Sequence, residues 1–464
     1  MIDYSREPRS DIAFVDIKSF YASVECVKRN LNPLNTSLCV MSRADNSEGL
    51  ILASSPLFKK VFGKKNVGRS RDLPFDITSR KFNYKKARMD GIEITREYVN
   101  HIEKWASSTL IVPPRMALYI EENIKIQKIF QNFAPPSHIY PYSIDEGFLD
   151  LSGTLDYFIK SKSISRREKL DLVCAKIQNN ILNETGLYST IGMSNANPLL
   201  AKLALDNEAK NTFTMRANWS YEDVEKKVWK IKKLTDFWGI GKRMEKRLND
   251  LHIYSIHDLA HINPDILKRK LGVMGLQLWF HAHGVDESNI SKPYKTKNKN
   301  IGNSQVLPKD YANIGDIKIV LSEIAEQVAV RLKKINKLTK TISIYIGYSY
   351  KENKSPIHAQ KTISPTNSIH NICREVLNLF SEKYEGGSVR NIGVSCSNII
   401  DKIPLNLSLF EDVNKLKKQE NLEDAILEIR EKYGYTSIQK LTALTENSRV
   451  MARNQLIGGH TKGV

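Results

Sequence analysis

Residues 143–146 read Ser-Ile-Asp-Glu, inside the run Tyr140-Pro-Tyr-Ser-Ile-Asp-Glu-Gly-Phe-Leu-Asp150. Asp145 and Glu146 are adjacent carboxylates set among apolar, β-prone residues. A third carboxylate, Asp16, ends the apolar run Ile12-Ala-Phe-Val15. A charge at the end of a buried strand is costly unless a cation meets it. Three such groups brought together repel one another, and divalent cations remove that repulsion. Hard ions such as Mg²⁺ take oxygen ligands and usually add phosphate oxygens of a substrate. The chemistry these residues fit is metal-dependent phosphoryl transfer. Asp150 is set aside: it lies four residues past Glu146 on a strand, about 13 Å along at ~3.3 Å per residue.

An Asp-Glu pair alone is more often a solvated turn. Here it has company. Asp16 is followed by Ile17-Lys-Ser-Phe-Tyr-Ala-Ser-Val-Glu25, where the apolar period changes from strand-like to helix-like. Ser19 is placed to cap that helix through its hydroxyl. Phe237-Trp-Gly-Ile-Gly-Lys-Arg243 reads as a tight hairpin between lysine-rich helices. Its backbone N–H groups at Gly239 and Gly241, with Lys242 and Arg243, form a nest for a phosphate.

The elements that must hold these groups follow from the pattern. A strand–turn–helix covers about 11–29. A loop-rich segment with Pro33, Pro56 and Pro74 follows to about 90. A second α/β stretch runs from 91 to 218, with a strand hairpin at 139–151 and a helix at 166–184. Residues 219–289 read as short helices. The basic stretch Ser291-Lys-Pro-Tyr-Lys-Thr-Lys-Asn-Lys-Asn300 has little to bury and marks a boundary. Beyond it, 301–403 is a compact α/β unit, with helical spacing at 316–338 and strands at 341–348 and 388–395. The tail from 411 has mixed charge and one amphipathic helix near 420–432.

Composition narrows the function. The 464 residues carry a formal charge of +19. The excess is clustered: residues 226–247 hold nine Lys or Arg against two acids, and 331–340 hold five against none. Such local excess favours a polyanion and salt-dependent binding to nucleic-acid phosphates. The five cysteines are odd in number and form no Cys-x-x-Cys. That argues against a disulfide framework or a zinc knuckle. No stretch approaches the ~20 apolar residues of a membrane span. The N-terminal ten residues lack a signal-peptide core, so a cytoplasmic protein is expected.

Asp16-Ile-Lys-Ser-Phe-Tyr-Ala-Ser-Val-Glu25 and Tyr142-Ser-Ile-Asp-Glu146 resemble the two catalytic motifs of the Y-family, or translesion, DNA polymerases. The Lys-Ser-Phe-Tyr-Ala-Ser form is similar to the UmuC-like branch of Gram-positive bacteria. The likeness runs from about 11 to 410. It implies a multidomain α/β right hand with a ferredoxin-like palm, small fingers, a helical thumb and an α/β little finger. The palm would be 1–29 and 91–218, the fingers 30–90 and the thumb 219–289. A linker at 290–300 would lead to the little finger at 301–403, and a tail at 411–464 would follow.

By this resemblance Asp16, Asp145 and Glu146, with the Ile17 carbonyl, hold two Mg²⁺ ions and are catalytic. Lys18 is a departure, since many members have Asp there. Tyr21 matches the steric gate that rejects ribonucleotides, and Phe20 packs in the core or backs it. Lys60, favoured over Lys59, and Lys210 contact the dNTP triphosphate. Gly239, Gly241, Lys242 and Arg243 contact primer–template DNA. Pro404-Leu-Asn-Leu-Ser-Leu-Phe410 resembles a sliding-clamp-binding peptide, with Leu407, Leu409 and Phe410 as anchors. The resemblance also admits a UmuD-like or RecA-type accessory factor. The competing readings are a Mg²⁺-dependent nuclease and an inactive DNA- or clamp-binding relative.

Overall fold

The computed structural model describes residues 2–42, 49–63, 68–292, 299–402 and 413–463. The chain divides into two compact units, Met1–Pro293 with Thr461–Val464, and Tyr294–His460. The division falls in the basic segment expected to be a linker.

In the first unit, β1 (Ile12–Ile17) turns into α1 (Phe20–Val27). Strands β2 (Leu38–Met41) and β3 (Ile51–Ser54) precede α2 (Pro56–Phe62), α3 (Tyr84–Met89), α4 (Arg96–Ser108) and β4 (Leu110–Val112). Next come α5 (Met116–Gln131) and the hairpin of β5 (Ile139–Pro141) and β6 (Glu146–Asp150). The short α6 (Leu155–Phe158), α7 (Arg166–Thr185), β7 (Ser189–Ser194), α8 (Pro198–Asn207) and β8 (Arg216–Asn218) complete the α/β part. Helices α9 (Lys242–Asn249), α10 (Ile256–His261), α11 (Pro264–Leu271) and α12 (Val273–Ala282) follow.

The central sheet has the order β5-β6-β1-β7-β8. β1 lies between two antiparallel partners. That explains its apolar run: Ile12, Ala13, Phe14 and Val15 are all buried. Gly192 of β7 admits α8 closely, since a Cβ there would sit 2.0 Å from the Ala201 carbonyl oxygen. α8 is started by Asn197, whose side chain accepts the Leu200 N–H, and by Pro198 at its first position. α7 opens with a Ser165–Glu168 capping box and stops at Gly186, φ 70°.

A second sheet has the order β3-β2-β4. Its apolar cluster runs from Cys39 to Ala106, packed by Ile111. The cluster thus continues past residue 90, where the sequence pattern puts a boundary. β4 pairs parallel with β2, a long-range contact that Pro and charge counts do not reveal.

The second unit holds the sheet β9 (Ile301–Tyr311), β10 (Lys337–Tyr348), β11 (Ile357–Thr366) and β12 (Val389–Asp401), in the order β11-β10-β12-β9. Helices α13 (Ile314–Lys334) and α14 (Ile369–Lys383) share its apolar cluster. The helix expected over 316–338 ends at Lys334, because Asn336 turns left-handed, φ 51°, and the β-branched run begins. β9 and β11 were not anticipated: both are edge strands with alternating exposure and many polar residues.

The tail forms α15 (Val413–Tyr433) and α16 (Val450–Asn454). It joins α13 through buried charges. Glu326 pairs with Arg430 at 2.7 Å and Lys440 at 2.7 Å, and Lys333 meets Glu423 at 3.0 Å. The five cysteines are free thiols, four of them buried.

Candidate active site

The ladder register brings the carboxylates together. Asp16 of β1 lies opposite Glu146 of β6. The Ile17 N–H donates to the Asp145 carbonyl at 2.9 Å, so Ile17 sits beside the turn that carries Asp145. Ser143 Oγ donates to Asp145 Oδ1 at 2.7 Å and accepts the Glu146 N–H at 3.1 Å. From α5, Asn123 donates to the Ile144 carbonyl at 2.6 Å. The turn is thus held from both sides.

Burial pushes the Asp16 carboxyl up to about 6, with Glu146 and Asp145 adding to it and Lys210 opposing. The surplus of negative charge is met by lysines. Lys210 Nζ lies 2.7 Å from Asp206 and 3.5 Å from Asp16. Lys202 Nζ lies 2.9 Å from Glu146 and 3.3 Å from Asp206. Burial pulls the Lys18 and Lys59 ammonium groups down, while Asp16 holds them up. Lys18 thus places a lysine within electrostatic reach of Asp16, where many family members have Asp.

Two expectations change here. Lys60 is exposed, whereas Lys59 Nζ donates to Ser19 Oγ at 3.0 Å. α2 is a helix, so neighbours point about 100° apart and only one of the two can face the site. Ser19 does not cap α1 with its hydroxyl. It adopts a left-handed backbone, φ 51° and ψ 48°, and its side chain serves Lys59 instead. A non-glycine residue in that region stores strain, of order 1–3 kcal/mol, that the surroundings must enforce.

Tyr21 lies one residue into α1, half-buried. Burial raises its phenol, and Asp145 adds to the shift. Its ring stacks on Tyr119 of α5, centroids 4.4 Å apart and 15° between planes. Phe20 is buried in the core and lies 5.7 Å from Tyr21, tilted.

At the hairpin, Phe237 and Ile240 are buried, Gly239 has φ 94°, and Gly241 stands at the start of α9. Lys242 and Arg243 are exposed. The preceding arm differs from the lysine-rich helix expected: it is a π-helical turn at Val224–Val228 and a 3₁₀ turn at Leu234–Asp236. Burial of Val224, Val228 and Leu234 in one apolar cluster overrides the lysine-rich helical pattern. Leu405–Phe410, with its anchors Leu407, Leu409 and Phe410, lies outside the described residues.

Comparison with known proteins agrees with this geometry. Residues 81–206 match the impB/mucB/samB family, 221–253 its HHH motif, and 298–409 its C-terminal domain. The chain is 39% identical over 461 residues to a putative UV-damage repair protein UvrX of Bacillus subtilis, covering 99% of this chain and 100% of that one. The chain belongs to the Y-family DNA polymerases. DNA polymerase IV 2 of the same organism is 29% identical over 453 residues, covering 97% of this chain and 98% of that one. Among solved structures, a Y-family DNA polymerase chimera shares the fold, with a TM-score of 0.58 and 20% identity over 84% of this chain and all of that one. No helix among the described residues is long and apolar enough to cross a membrane.

Members of this family depend on divalent metal. The oxygen-only donors of this Y-family polymerase fit a hard ion, and the raised Asp16 carboxyl marks charge that such an ion would relieve. Among the described residues no three metal-binding side chains converge as a closed cage would require. Lys202 and Ser143 engage Glu146 and Asp145 instead. An Mg²⁺ site built from one or two carboxylates and substrate phosphates needs no such cage. The sequence reading gave Lys202 no role. Its signal was a lone lysine on a helix whose other residues from 198 to 205 are apolar and buried. Tyr119 carried no local signal at all.

Proposed function

We propose that this polymerase extends a primer 3′-hydroxyl opposite damaged template, using Asp16, Asp145 and Glu146, with the Ile17 carbonyl, to hold two Mg²⁺ ions. The chemistry that two such ions supply is activation of the 3′-hydroxyl and neutralisation of the leaving pyrophosphate. The residues themselves position. Lys210 and Lys59 receive the triphosphate of an incoming dNTP, and Tyr21 lies under its sugar. Catalysis is then orientation and charge stabilisation, with no covalent nucleophile.

The observation that carries this reading is the pairing of Asp16 with Glu146 across one ladder, with Lys210 3.5 Å from Asp16. A structural ion pair would need one cation. Here Lys18, Lys59, Lys202 and Lys210 gather round four carboxylates, Asp16, Asp145, Glu146 and Asp206, a network rather than a single pair.

In this reading the central sheet is the palm, 30–112 the fingers and 219–289 the thumb, while 301–403 is the little finger. Gly239, Gly241, Lys242 and Arg243 hold the DNA backbone without reading sequence. Leu407, Leu409 and Phe410 bind a sliding clamp, and the enzyme works on nucleoid DNA in the cytoplasm. A primer–template with dNTPs and Mg²⁺ tests the central claim. Lengthening of the primer supports it; shortening points to a nuclease, and no change to an inactive relative.

A further inference from the structure

The proposed gate has no polar anchor of its own. Among the described residues Tyr21 Oη makes no hydrogen bond, and the ring lying flat against it is Tyr119. Tyr119 is fully buried, and its hydroxyl donates to Glu25 Oε1 at 2.7 Å. Glu25 is one helical turn beyond Tyr21 on α1, so both belong to the face that meets α5. Its carboxylate is 0% exposed. Arg115 holds it with two bonds, Nε to Oε1 at 3.0 Å and Nη2 to Oε2 at 2.7 Å. Arg29 also pairs with it and donates to the Glu25 carbonyl at 2.9 Å.

Helix packing does not need this arrangement. A buried carboxylate with cation partners is often no more stabilising than well-packed apolar side chains. What it gives is direction. The bidentate arginine fixes the carboxylate, the carboxylate fixes the phenol, and the phenol ring fixes the plane of the ring stacked on it.

We infer that Tyr119, anchored by Glu25 and Arg115, is a positioning residue for sugar selection, holding Tyr21 at the height where a 2′-hydroxyl collides with it. This rests on the reading of Tyr21 as the gate. A steric filter acts through tenths of an ångström, so a tilting ring passes more ribonucleotide without losing its bulk. Tyr119→Phe removes the anchor and keeps the ring. Tyr119→Leu removes the stack.

The test is the ratio of kcat/KM for a ribonucleotide to that for the matching deoxynucleotide, on one primer–template, with melting temperatures recorded. Tyr21→Ala is run beside the two variants. Tyr119→Phe should raise the ratio by up to about ten-fold, the most that one lost hydrogen bond of ordinary strength can transmit. Tyr119→Leu should raise it further, with deoxynucleotide kcat changed less than ribonucleotide KM. A merely structural role would lower both substrates together and leave the ratio alone. If Tyr21→Ala opens the gate while Tyr119→Phe keeps the parent ratio, the inference is overturned and the gate stands. If Tyr21→Ala itself leaves the ratio unchanged, the gate reading fails and the inference with it. Tyr119→Phe decides the matter should Tyr119→Leu not fold.

Discussion

Lys202 Nζ sits 2.9 Å from Glu146 Oε1 and 4.4 Å from the centre of the Phe14 ring. A buried ammonium is thus clamped between a carboxylate of the candidate site and an aromatic face. The pair explains how β6 can begin on a charged Glu146. The cation that neutralises it is supplied by α8, which Gly192 lets approach the sheet.

Lys202→Met should therefore destabilise the metal-free protein by about 2–4 kcal/mol, the cost of leaving a buried charge unpaired. Adding Mg²⁺ should narrow the gap to the parent, because the ion takes over the neutralisation. Thermal melts with and without Mg²⁺ check this; a gap insensitive to Mg²⁺ would separate Lys202 from the metal site.

Asp16→Asn should stabilise the metal-free protein at neutral pH. The folded-state carboxyl is raised from 3.8 to about 6. Its contribution is complete below the unfolded value and is lost as pH rises through about 6. Above that, ionised Asp16 costs stability on the order of 3 kcal/mol, which Asn removes. Melting curves of both proteins should converge near pH 4.

Replacing Asp145 and Glu146 by Ala should abolish nucleotide addition and leave DNA affinity nearly unchanged, since they serve metal rather than backbone phosphates. Primer extension and fluorescence anisotropy measure the two halves. Extension at the parent rate would reject the assignment.

The tail should be a stabilising part of the second unit. Burial alone would raise the Glu326 carboxyl, but bonds from Lys440 and Arg430 outweigh it and hold the group below its usual range. Stability from this group is present above the ordinary carboxylate range and lost as pH falls through the depressed value. Glu326→Gln should cost about 2–4 kcal/mol near neutrality. The difference should shrink in acid, as followed by denaturant unfolding at both pH values.

Replacing Leu409 and Phe410 by Ala should remove stimulation by a sliding clamp while basal synthesis survives. Two such side chains bring about 1.5–3 kcal/mol each on burial. Losing both would weaken a contact roughly 100-fold or more. Processivity on a clamp-loaded template is the measurement, and equal stimulation of parent and variant would reject the peptide.

The sequence by itself determined the local facts: where β1 gives way to α1, the hairpin around Asp145, α7, and a basic break at 291–300, and it singled out Asp16, Asp145 and Glu146 as candidates. These are written in short-range periodicity, turn chemistry and the oddity of charge among apolar residues. Tertiary structure decided what depends on contacts across long separations. It set Lys59, rather than Lys60, against Ser19. It placed Lys202 beside Glu146, and Tyr119 beneath Tyr21, across 98 residues of chain that carry no trace of the pairing. It extended the second sheet to Val112 through a parallel pair, and it tied the tail to α13 by buried ions. The physical reason is one of range. Propensity and pattern act over a turn or a strand, while the direction of a side chain is set by whichever distant element packs against it.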